Sequence, residues 1–101
     1  MANIEKLKKV YEEALLDYEK ADEAYDRANE LEDEAWHAYC RAEEKYQKYQ
    51  NKEALIEYEK ADESYNRAKE LKNEATHVYY EAKKKYQKAW EVYRKATAKK
   101  G

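Results

Sequence analysis

The chain has 101 residues, no proline and a single glycine, the terminal Gly101, which excludes folds built on many tight turns and leaves long helices. Charged residues make up 44% of it yet sum to a net charge of −2, so the strong basic excess of a nucleic-acid-binding domain is missing. Cys40 is the only cysteine, which excludes an intrachain disulfide and fits a reducing compartment.

The abundant residues are Ala, Glu, Lys, Leu, Arg and Gln, all strong helix formers, so the expected class is all-α in one helical domain spanning 1–101. Tyr occurs twelve times and Phe not at all; a residue of middling helix propensity at that abundance calls for a packing role. Met1-Ala2-Asn3-Ile4 opens no apolar run resembling a signal peptide, and no stretch reads as a transmembrane span. A cytoplasmic location without membrane association is the expectation.

The first predicted element is a helix over about 3–48. A seven-residue pattern places Ile4, Tyr11, Tyr18, Tyr25, Glu32, Tyr39 and Tyr46 at a, and Leu7, Ala14, Ala21, Ala28, Ala35 and Ala42 at d. Val10, Leu15, Ala24, Leu31, Trp36 and Ala38 broaden this stripe, while b and c are almost wholly polar. A sustained heptad with a widened face reads as a helix packed in a bundle.

A turn is expected near 49–52. Tyr46 and Tyr58 are 12 residues apart, which at about 100° per residue swings the stripe roughly 120° off the seam. One straight helix cannot keep both stripes on one face. Asn51 is a natural N-cap, with Glu53 in the first turn that follows.

The second predicted helix covers about 52–98. Its a positions are Tyr58, Tyr65, Lys72, Tyr79, Tyr86 and Tyr93, Ala fills d from Ala54 to Ala96, and Leu55, Leu71, Val78, Trp90 and Val92 broaden the stripe. Residues 16–48 match 56–88 without a gap, with 20 of 33 positions identical. The chain is thus an internal duplication, 10–49 and 50–89.

A short connection makes the two helices antiparallel. The fold predicted is a long, coiled-coil-like helical hairpin with a Tyr/Ala seam. Residues 1–50 carry net −6 and residues 51–101 net +4, so an acidic helix lies beside a basic one. Ala at d allows close approach, and Tyr at a lays its ring along the seam with its hydroxyl reaching water. Two helices cannot cover so wide an apolar face, so a homodimeric four-helix bundle is expected.

Glu32 and Lys72 stand at equivalent a positions otherwise held by Tyr, and an ion pair setting register is expected there. Glu-x-x-His occurs twice, as Glu34…His37 and Glu74…His77. Its spacing resembles that of ferritin-like di-iron proteins, but the heptad puts the glutamates at c and the histidines at f, away from the seam. Cys40 falls at b, an ordinary thiol at the seam's edge. No nucleophile–base pairing, Gly-rich phosphate loop or metal-finger spacing is present, so neither catalysis nor a cofactor is expected.

Glu53-Ala54-Leu55-Ile56-Glu57-Tyr58-Glu59-Lys60-Ala61 resembles the second helix of a tetratricopeptide repeat, and Glu34-Ala35-Trp36 the start of its first. That resemblance implies an alternative fold of four shorter helices, with loops near Glu32-Asp33 and Lys72-Asn73, and a protein-binding surface. The function expected is a non-enzymatic structural or protein-interaction hairpin, its partner a second copy or another protein. The alternatives are a metal-binding bundle using Glu34, His37, Glu74 and His77, and an RNA-binding hairpin similar in architecture to Rop.

Overall fold

The computed structural model describes residues 3–99. Among these the chain is all-helical: α1, Ile4–Tyr49, and α2, Lys52–Ala98, with no strand. Asparagine caps both starts. The Glu5 and Lys6 amides donate to Asn3 Oδ1 at 3.1 and 3.4 Å, and the Ala54 amide donates to Asn51 Oδ1 at 2.7 Å, satisfying donors that a helix leaves open. Acidic Glu5 and Glu53 sit in the first turns and basic Lys48 and Lys95 in the last, each with the favourable sign for the helix dipole.

The chain reverses at Gln50 and Asn51. Gln50 adopts a positive φ of 47°, and its amide donates to the Tyr46 carbonyl at 2.8 Å. This is the left-handed C-cap usually given to glycine. A residue with a Cβ there costs about 1–2 kcal/mol, a cost borne at one position.

The four-helix alternative does not form. Both helices run unbroken through residues 32–33 and 72–73. No glycine, proline or phase change interrupts the heptad at those points, so nothing there competes with the helix.

Two compact units are distinguished, and each is an antiparallel helix pair. Among the described residues the terminal unit combines 3–24 with 76–99; the turn unit is Tyr25–Ala75. In the terminal unit Tyr11 meets Tyr86 and Tyr93, and Tyr18 meets Tyr79 and Tyr86. In the turn unit Tyr39 meets Tyr58 and Tyr65, and Tyr46 meets Tyr58. The only buried residues among those described are Ala21, Ala28, Ala54 and Ala68, all at d. The small methyl lets the backbones close while the larger tyrosines, half-buried at a, fill the flank.

Candidate functional site

In each unit tyrosines from the two helices interleave. Within the terminal unit the Tyr11 ring lies between Tyr93, stacked at 5.7 Å, and Tyr86, stacked at 5.6 Å, while Trp90 leans on it at 5.0 Å. Within the turn unit Trp36 packs on Tyr39 at 5.7 Å and Tyr65 at 5.2 Å. Such ring pairs contribute about 0.5–1.5 kcal/mol each beyond their buried area.

The hydroxyls do not all turn to water as expected. Tyr18 and Tyr79 share a hydrogen bond of 3.1 Å, and Tyr39 and Tyr58 one of 2.9 Å. The Tyr58 hydroxyl, with burial next, pushes Tyr39 up to about 12. The Tyr18 hydroxyl, again followed by burial, pushes Tyr79 up to about 12, and Tyr86 raises Tyr11. Hydrogen bonding favours the neutral phenol in each case. Tyr11, Tyr39 and Tyr79 therefore stay neutral near neutral pH, suited to packing rather than proton transfer.

In the turn unit Glu32 Oε2 lies 3.5 Å from Lys72 Nζ, with both side chains half-buried. A Glu facing Glu, or a Lys facing Lys, at this site would repel, so the pair favours α1 beside α2 over either helix beside its own copy. Lys45 Nζ reaches Glu57 Oε2 at 3.1 Å. An exposed bridge of this kind contributes under about 1 kcal/mol.

Both flanks of the seam stay partly open: on the e side Trp36 and Trp90 are 45% and 43% exposed, and the g side is open as well. Val10, Leu31, Leu71, Val78 and Val92, read from sequence as part of the apolar face, are 43–54% exposed. In the terminal unit they border a groove of about 680 Å³ floored by Ala14, Ala82 and Ala89, with Asp17 and Lys85 on its rim. The turn unit has a smaller groove of about 430 Å³, bordered by Leu31, Ser64 and Leu71. Pockets that hold small molecules span a comparable volume range, but these are long and open. Val10 and Val92 belong to the apolar face that the heptad marks, whereas Asp17 and Lys85 are charged residues at the same heptad position. Their signal in the sequence is the 40-residue offset, which aligns Asp17 with Glu57 and Lys45 with Lys85.

The remaining sequence candidates lie outside both grooves, apart from Glu34, which borders the smaller one. His37, Glu74 and His77 are exposed, and His77 Nε2 contacts Glu81 Oε1 at 3.1 Å rather than Glu74. Among the described residues no group of three or more His, Cys, Asp or Glu is placed to hold a metal ion. Cys40 is half-buried and unpaired, and Tyr80, off the stripe, is exposed beside Tyr79. No described helix is long and apolar enough to cross a membrane. Comparison with known protein families, curated proteins and solved structures finds no match.

Proposed function

We propose that this chain is a non-enzymatic structural module that acts by self-association, as a homodimer forming a four-helix bundle. One observation carries the reading: the apolar flank positions Val10, Leu31, Leu71, Val78 and Val92 at g remain 43–54% exposed, and Trp36 and Trp90 at e are 45% and 43% exposed. Single exposed apolar residues need no explanation, but a heptad-spaced row of them marks an interaction surface. The paired, neutral tyrosines support a scaffold role, since they supply packing area without a group poised for chemistry. The Glu32–Lys72 pair supports it too, because it selects which helix packs beside which within one chain and leaves the outer face for a partner.

The test is co-purification of tagged and untagged copies expressed together. The untagged chain is expected to follow the tagged one through washing, and failure to do so at micromolar concentration overturns the proposal. Adding zinc or iron is expected to leave the melting temperature unchanged; a metal-dependent rise lost in His37→Ala/His77→Ala would favour the metal-binding alternative.

A further inference from the structure

We infer that the occupant of the terminal-unit groove is the same groove of a second copy, joined by reciprocal Asp17–Lys85 contacts; the inference rests on the self-association proposed above.

Net charge is distributed differently in the two units. In the terminal unit, residues 3–24 carry seven acids and four bases, net −3, while residues 76–99 carry two acids and seven bases, net +5. In the turn unit, residues 25–49 are net −3 and residues 52–75 net −2. The complementarity between the two halves of the sequence is thus confined to the terminal unit. Two copies stacked there with a two-fold axis along the groove would set α1 of each over α2 of the other. Acidic segment then faces basic segment twice, as an isologous interface requires.

The groove is lined by the charged residues Asp17 and Lys20 from α1 and Glu81, Lys85 and Lys88 from α2, and Asp17 and Lys85 fit this arrangement. In the turn unit the equivalent positions, Lys45 and Glu57, join across the seam at 3.1 Å. In the terminal unit Asp17 stands where Glu57 would, one methylene shorter, and among the described residues no ion pair joins it to Lys85. Both line the open groove. A two-fold along the groove keeps residues at their own height and carries Asp17 of each copy to Lys85 of the other. Val10, Val78 and Val92 would then interdigitate over the alanine floor, where large-into-small packing suits a helix–helix interface.

The experiment uses the full chain and measures dimer dissociation by sedimentation on dilution, with helix content checked by circular dichroism. Asp17→Lys and Lys85→Asp are each expected to weaken the dimer roughly tenfold or more, since each places two like-charge contacts in the interface. An equimolar mixture of the two variants is expected to recover wild-type affinity, because every contact is then opposite in sign. Asp33→Lys, exposed at b and outside both grooves, is expected to leave dissociation unchanged. A dimer indifferent to both rim variants overturns the site while leaving self-association standing on another face. A wild-type chain that stays monomeric overturns the site and the reading beneath it together. A monomer whose Val78 and Lys85 signals move on adding an acidic amphipathic peptide gives the groove a different occupant and likewise overturns the inference.

Discussion

The terminal and turn units share the same kind of Tyr/Ala seam. Tyr18–Tyr79 in one and Tyr39–Tyr58 in the other make the same hydroxyl bond, at 3.1 and 2.9 Å. Tyr18–Tyr86 and Tyr46–Tyr58 stack alike, at interplanar angles of 10° and 24°. What differs is the flank. The turn unit holds two inter-helix ion pairs, Glu32–Lys72 and Lys45–Glu57, although both its helix segments are net negative. The terminal unit has the larger net charge contrast and the groove of larger volume, about 680 against 430 Å³. Packing is therefore alike in the two units while electrostatics differ.

The largest expected effect probes the alanines. Ala54 in the turn unit is 2% exposed, and its repeat counterpart Ala14 lines the terminal groove. Ala54→Leu is expected to cost about 1–3 kcal/mol through overpacking. Ala14→Leu should cost less than half of that in urea unfolding of dilute protein. Equal losses would mean that the two units are packed alike.

Next comes the ion pair that only the turn unit has in its seam. Glu32→Lys sets two lysines face to face and is expected to cost on the order of 1 kcal/mol. The double variant Glu32→Tyr/Lys72→Tyr, which restores the rule at a, should be at least as stable as the parent, because well-packed rings commonly replace a desolvated pair without loss. A marked loss in the double variant would show that the charges do more than set register.

High pH offers a test in which the units should agree. Tyr39 in the turn unit and Tyr79 in the terminal unit are both raised from 10 to about 12. A group raised in the folded state favours folding below its unfolded value, so this contribution is complete below pH 10 and disappears as pH rises through about 12. Tyrosinate absorbance is expected to show late-ionising rings and helicity to fall over the same window. A single transition near pH 10 with helices intact would contradict the hydroxyl pairing in both units.

The helices, the Tyr/Ala seam and the pairing of α1 with α2 were legible from periodicity and phase, because a heptad fixes which face of one helix is apolar. The hydroxyl bonds were not. They depend on the register between Tyr18 and Tyr79 and between Tyr39 and Tyr58, which no single-helix period contains. The open flank was hidden for a related reason: Val10 and Val78 read as seam residues until the helices came close enough, over alanine, to leave them outside. The Asp17–Glu57 difference is visible in the aligned repeats, but its consequence is one methylene of reach across a gap. The complementarity of the whole halves, −6 against +4, also concealed that the turn unit takes no part in it.

The smallest effect belongs to the turn alone. Gln50→Gly relieves the positive φ of 47° and is expected to raise stability by about 0.5–1 kcal/mol, the strain removed being partly offset by added freedom in the unfolded chain. The same substitution at an exposed mid-helix position such as Gln87 should instead destabilise by about 1 kcal/mol.

The most direct measurement is the mass of the intact wild-type chain in solution, by sedimentation equilibrium at micromolar concentration and moderate salt. A species of about twice the 12.2 kDa chain mass is expected, dissociating further as salt screens the acidic and basic segments of the terminal unit. A single 12.2 kDa species at every concentration would contradict self-association and leave the open groove without its proposed occupant.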